Sequence, residues 1–180
     1  MKTLTLLRHA KSGWDDPVAR DFDRALNARG LRGAHTIGRH LHDLGLTFDH
    51  VVSSPAVRCV DTLDGLWEGY GRTLHPTWDR RIYLASCVTL LDVVHDRPDS
   101  AERVLMCGHN PGLEDLILML VPDNDSEALR DDVEEKFPTA SVAELTFDID
   151  HWTDVRTGIG HLTRFIRPRD LDGALGPDTE

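Results

Sequence analysis

Two arginines and two histidines carry the chemistry open to this chain. Arg8 and His9 close the run "KTLTLLRH", with Lys11 and Ser12 just beyond. Arg58 comes shortly after "HVVSS", and His109 follows "RVLMCG" and precedes Asn110. Guanidinium groups grip phosphate oxygens through paired N–H donors. A neutral imidazole is a competent nucleophile near pH 7, because its unperturbed pKa is about 6.5. Phosphoryl transfer spreads negative charge over equatorial oxygens, so fixed cations aimed at them do most of the catalytic work. Together the four residues describe a pocket that handles something anionic. Singly, each has an ordinary explanation: Arg8 as surface decoration, Arg58 as a helix-face cation, His109 as a loop residue beside Asn110 and Pro111.

What would unite them is the alternation of strand and helix patterns. "KTLTLLRH" and "HVVSS" are apolar strands and "RVLMCGHN" a buried one, while "SVAELTFD" and "GHLTRFIR" alternate in the strand period. Between them, "NARGLRGAHTIGRHLHDLG" carries Ala34, Ile37, Leu41 and Leu44 on one face and stops at Gly45. "SPAVRCVDTLDGLW" is expected to start on a Ser cap with Pro55 in its first turn, and "SCVTLLDVVHD" and "PGLEDLILMLV" complete the helices. The pattern predicts a single three-layer α/β/α sandwich with a mostly parallel mixed sheet, in which ligands gather at the carboxyl ends of strands. Three strand ends then deliver Arg8-His9, Arg58 and His109 to one rim, with His9 outside the core stripe and expected to be exposed. The acidic stretch 123–135 reads as a solvated loop, and the domain is expected to span 1–168, with 169–180 a flexible tail.

The chain has 180 residues, 40% apolar and 28% charged, with a net charge of -11. Those values suit one soluble domain and argue against nucleic-acid or anionic-membrane partners, which attract clustered positive charge. The sequence has neither a leader pattern nor an apolar run of about 20 residues, so a cytoplasmic address is expected. Cys59, Cys87 and Cys107 make no CxxC pair and are expected as reduced, mostly buried thiols.

Rival chemistries fail on spacing. A cysteine phosphatase needs an arginine six positions after its cysteine, where this chain has Gly65, Val93 and Leu113. Asp148 and Asp150 have too little chain after them to complete a magnesium site. "GIG" at 158–160 lacks the third glycine and following helix of a dinucleotide fingerprint and reads as a turn. The remaining histidines show no metal-ligand spacing, and His40 and His42 lie on different helix faces. Asp21, Asp23, Arg24 and Arg29 read as salt-bridging residues around the mouth of the site.

Five stretches in order, "LLRHAKSGWDD", "DFDRALNARG", "VVSSPAVRC", "VLMCGHNPGLEDL" and "KFPTASVAELTFD", resemble the histidine phosphatase (phosphoglycerate mutase-like) superfamily in its small SixA-like phosphohistidine phosphatase branch. The resemblance runs to about Pro168. It implies a phosphoglycerate mutase-like fold without a lid domain, His9 as the residue that takes the phosphoryl group, and Arg8, Arg58 and His109 as phosphate ligands, with Lys11 and Ser12 able to assist. No metal or cofactor is implied. The usual Arg-His-Gly is here Arg8-His9-Ala10, which requires that Ala10 need no glycine-only backbone. "WDRRIYLAS" has no carboxylate where larger members carry their general acid.

The missing acid bears on substrate. General acid catalysis is worth roughly 10² to 10⁴ in rate when an alkoxide must leave. The imidazole of a phosphohistidine needs less help, so the favoured substrate is a phosphohistidine displayed on a protein. Two alternatives remain: a small-molecule phosphomonoesterase using another acid such as Asp16 or Asp21, and a phosphate-binding module with little turnover.

Overall fold

A computed structural model describes residues 1–13, 20–124 and 127–175. Five strands fall where the apolar runs place them: β1 (Lys2–Arg8), β2 (His50–Ser53), β4 (Arg103–Gly108), β5 (Val142–Phe147) and β6 (His161–Ile166). A two-residue strand, β3 (Thr77–Trp78), joins them and has no sequence signal, because both its side chains are exposed. The sheet order is β3-β2-β4-β1-β5-β6. β1, β2, β3 and β4 run parallel, and β5 pairs antiparallel with both β1 and β6. The architecture is the expected α/β sandwich with a mixed sheet.

Alternation along the central strands separates two cores. Leu4 and Leu6 of β1, Val52 of β2 and Val104 and Met106 of β4 pack on one face, with Leu90, Val93, Leu113 and Leu116 from α3 (Cys87–His95) and α4 (Gly112–Leu120). Leu7, Val51, Leu105 and Cys107 face the other side, against Ile37, Leu41, Leu63 and Leu66 from α1 (Ala28–Asp43) and α2 (Val57–Tyr70). Successive strand residues point to opposite faces, so runs buried on both sides read as continuous apolar stretches. α1 and α2 approach backbone to backbone: a Cβ on Gly38 would meet the Leu66 carbonyl oxygen at 2.1 Å, and one on Gly69 that of His35 at 2.1 Å.

Three expectations need correction. The acidic stretch is not a loop: 127–135 forms α5 (Glu127–Glu135), with Val133 buried and Leu129 packed against the core. Those two apolar residues stand four apart and share a helix face, which the surrounding carboxylates disguise. Arg130 fastens the helix by donating to the Val121 and Leu118 carbonyls at 3.0 and 3.2 Å. α2 begins at Val57, past Pro55, because the Ser54 hydroxyl oxygen accepts the Ala56 N–H at 3.2 Å and holds an approach turn there. Past Pro168, the chain continues as α6 (Pro168–Leu171) and a 3-10 turn at Gly173–Leu175, and Arg32 of α1 pairs with Asp172 at 2.5 Å.

Candidate active site

β1, β2 and β4 are neighbours in the sheet, so their carboxyl ends open on one cleft of about 390 Å³, lined by Arg8, His9, Lys11, Ser12, Arg58 and His109 among others. The sequence-predicted residues therefore meet. Asp16 lies outside the described residues.

His9 is buried, with 8% of its surface accessible, rather than exposed as its place outside the core stripe suggested. Its Nδ1 lies 2.7 Å from the Ala10 carbonyl oxygen. A carbonyl only accepts, so Nδ1 carries the proton and Nε2 keeps its lone pair. Burial pushes the His9 pKa down to about 3, with His109, Arg8 and Arg58 adding repulsion against a charged ring. The imidazole is thus neutral at physiological pH. Ala10 stays off the glycine-only backbone: among the described residues, positive φ outside glycine occurs at Leu84 and Ala140. The Ala10 N–H instead donates to the Thr62 hydroxyl oxygen at 2.9 Å, and Thr62 donates to the Arg58 carbonyl at 2.5 Å. One short chain of bonds ties the end of β1 to the first turn of α2.

Arg58 is 2% accessible and needs a counterion at that depth. Asp21 supplies one: Arg58 Nη1 donates to the Asp21 carbonyl at 2.7 Å and Nη2 to its Oδ2 at 3.0 Å. The Tyr83 hydroxyl donates to the same Oδ2 at 2.5 Å, and Arg24 pairs with Oδ1 at 3.1 Å. Desolvation pushes the Asp21 pKa up, but the Tyr83 bond, the Arg58 charge and the guanidinium bonds outweigh it and hold the carboxyl at about 2. Asp21 is the single carboxylate lining the cleft among the described residues, and it is ionised. The salt-bridging reading of Asp21 and Arg24 holds, and Arg24 also donates to Ser12 Oγ at 2.7 Å.

Arg8 donates to the Phe137 carbonyl at 3.1 Å, which aims it from the β1 end toward the loop before β5. His109 is 2% accessible, its ring 5.3 Å from that of His9 and edge-on to Tyr83 at 5.5 Å. Its Nε2 lies 2.8 Å from Ser54 Oγ. That oxygen also accepts the Ala56 N–H and keeps a second lone pair, so a protonated His109 ring donates Nε2–H to it and presents Nδ1–H to the cleft. His109 Nδ1 and Arg58 Nε are buried without a hydrogen-bond partner. Two unmet donors at a cleft are what an oxyanion would satisfy.

Sequence reasoning missed the supporting layer of Ser54, Thr62 and Tyr83. Ser54 carried a signal, since a serine between a strand and a helix can turn its hydroxyl into the site as readily as onto the helix. Tyr83 stood in the segment noted only for its lack of a carboxylate. No group of three or more His, Cys, Asp or Glu side chains among the described residues has metal-binding geometry.

A buried neutral histidine flanked by arginines at the carboxyl edge of a parallel sheet defines a phosphoryl-handling α/β protein. Comparisons with known proteins carry this further. The model for the histidine phosphatase superfamily (branch 1) matches residues 4–81. An uncharacterized protein of Mycobacterium tuberculosis is 32% identical over 164 residues, covering 91% of this chain and 100% of that relative. The crystal structure of a candidate phosphohistidine phosphatase SixA from Nakamurella multipartitia superposes with a TM-score of 0.80 at 29% identity, covering 93% of this chain and 96% of that one. Its counterpart from Agrobacterium tumefaciens gives 0.75 at 27%, covering 93% and 98%. The chain belongs to the histidine phosphatase superfamily, in its SixA-like branch, and is a phosphatase acting on a phosphorylated substrate.

Proposed function

We propose that the protein removes phosphate from phosphohistidine on another protein, through a phosphohistidine intermediate on His9. The observation that carries this reading is the cleft's one described carboxylate, Asp21, held near pKa 2 by Arg58 and Tyr83. At neutral pH it has no proton to give, so among the described residues no carboxyl protonates the leaving group. The imidazole of a phosphohistidine can depart without that help; an alkoxide departs slowly.

The steps follow from the atoms. His9 Nε2 attacks phosphorus, and the bond from phosphorus to the substrate imidazole breaks, its electron pair going to that nitrogen, which takes its proton from solvent. His9 Nδ1–H keeps its bond to the Ala10 carbonyl and orients the ring throughout. Arg8, Arg58 Nε and His109 Nδ1–H meet the equatorial oxygens, where charge develops. Water then attacks the phosphorylated His9; the bond from phosphorus to Nε2 breaks, phosphate leaves, the water's proton passes to solvent, and the imidazole returns neutral. Lys11 and Ser12 line the outer cleft and assist in binding. Between Tyr83 and His109 the chain holds only α3 and β4, no lid, which suits a substrate displayed on a protein surface.

Turnover of a phosphohistidine protein against nitrophenyl phosphate, phenyl phosphate and an alkyl phosphate tests the reading. The phosphohistidine should be cleaved far faster than the alkyl ester, and rates should fall steeply as the leaving group becomes more basic. Alkyl esters turned over as fast as nitrophenyl phosphate would show a proton donor in the site and favour a small-molecule phosphomonoesterase.

A further inference from the structure

Beside the phosphate cleft lies a second cavity of about 50 Å³ whose lining includes Lys11, Arg29, Lys136, Arg167 and Arg169 and no carboxylate among the described residues. All five side chains are half-buried. This is an unusual place for them in a chain of net charge -11 with 20 Lys and Arg against 31 Asp and Glu. Gathering cations at partial depth raises their mutual repulsion and strips water from each, a cost that an anion in their midst reverses. Arg167 is forked onto Asp170 at 3.0 and 2.9 Å just outside the cavity, and Asp170 also lies within electrostatic reach of Arg169, as Asp172 does of Arg29.

The fold places the cavity next to the chemistry. Its walls come from the residues after β1, the loop before β5, the first turns of α1 and the start of α6. β5 and β6 continue the sheet from β1, so these parts share the rim that carries His9. Lys11 and Thr139 line both cavities. The wall is firm there: a Cβ on Gly30 would fall 2.0 Å from the Lys11 carbonyl oxygen, so α1 packs directly on the Lys11 backbone. At roughly 10–15 Å³ per water-sized site, the space holds an oxyanion head such as a carboxylate or a phosphate.

We infer that this cavity is a specificity subsite for a second anionic group carried by the substrate next to the phosphoryl group. The inference rests on the phosphatase reading and refines it: the preferred phosphohistidine has an acidic side chain beside it, and the preferred small phosphate ester carries a carboxylate or a second phosphate. Charge-assisted bonds to half-buried cations make such a contact worth at least about tenfold in kcat/KM, and salt should erode it.

The test compares kcat/KM on four substrates: nitrophenyl phosphate, its carboxylated derivative, a phosphohistidine peptide flanked by glutamates, and the same peptide flanked by glutamines. The protein should prefer each more anionic member by about tenfold or more, and the preference should shrink in high salt. In Lys136→Glu/Arg169→Glu, the preference should vanish while nitrophenyl phosphate is cleaved within about twofold of the unaltered protein, which also reports that the variant folds. Equal rates within each pair for the unaltered protein would overturn the inference, whatever the variant does. So would a variant that loses both members of a pair equally, including nitrophenyl phosphate. If neither peptide is cleaved, the phosphohistidine reading fails and the two aryl esters alone decide the subsite.

Discussion

Burying a neutral histidine where it must act as a nucleophile couples the protein's stability to acid in a measurable way. His9 is held at a pKa of about 3 against an ordinary 6.5, first by desolvation and then by repulsion from His109, Arg8 and Arg58. Below pH 6.5 the unfolded chain binds a proton at His9 that the folded protein refuses until about pH 3, so folding stability falls as pH drops through that window. At about 1.4 kcal/mol per unit, the loss between pH 7 and about pH 4.5 is close to 3 kcal/mol from this residue alone. His9→Asn removes the titration and keeps an amide near the Nδ1 position to donate to the Ala10 carbonyl. Urea unfolding of both proteins at pH 7 and about pH 4.5 isolates the effect, because every other titrating group cancels in the difference. The unaltered protein should lose about 3 kcal/mol more than the variant over that interval. Parallel losses would mean that His9 titrates near its ordinary value. A nucleophile of that kind would be only about one-tenth neutral at pH 5.5, and the account of its activation would fail.

Other consequences of the geometry are open to direct measurement. Rapid acid-free quenching with labelled substrate should leave acid-labile, base-stable phosphate on His9, and His9→Ala should abolish both label and turnover; label on another residue would end the assignment. In the proposed mechanism Arg8, Arg58 and His109 supply the charge, so dialysis against a strong chelator should leave activity unchanged, whereas loss restored by magnesium would point to a metal-dependent route. Leu84 lines the cleft at a positive φ of 50° and is 57% exposed. Aspartate tolerates that backbone better than leucine, so Leu84→Asp should fold and should raise alkyl phosphate turnover by about tenfold or more while hardly changing nitrophenyl phosphate. No gain on the alkyl ester would show that a proton donor is not what that substrate lacks.

The parts of this protein that could be read ahead of its structure are those set by local pattern. Leu4, Leu6 and Leu7, broken only by the short hydroxyl of Thr5, and Val104 through Cys107 read as strands buried on both faces, and once two such strands are neighbours the meeting of His9 with His109 follows. The parts that could not be read depend on one side chain answering another far along the chain. Nothing local tells that Tyr83 reaches Asp21, 62 residues away, or that Ser54 serves His109, 55 residues away, rather than capping α2. His9 looked exposed because it ends a strand; it is buried because α2 and the His109 loop close over that end. α5 was hidden for a different reason: six charged residues outvote Leu129 and Val133 in composition, although two apolar residues on one face are enough to dock a short helix.

The Asp21 clasp links these levels. A guanidinium as deeply placed as Arg58 would be a severe cost without a counterion, and removing one partner from a buried pair leaves an uncompensated charge. The chain answers with a carboxylate from the 3-10 turn at Asp21–Asp23, steadied by Tyr83 and Arg24. That arrangement orients Arg58 before any substrate arrives and leaves its Nε facing no protein partner. It also commits the cleft's carboxylate to the ionised form, since protonating Asp21 would weaken the bonds that hold the arginine. One residue cannot both neutralise Arg58 and donate a proton at neutral pH. The same contact that holds Arg58 for phosphate therefore leaves no described carboxyl in the cleft to protonate a leaving group. With no lid between Tyr83 and His109 and cations set along the rim beyond His9, this arrangement supports the proposal of a phosphohistidine on a partner protein over a simple alkyl phosphate.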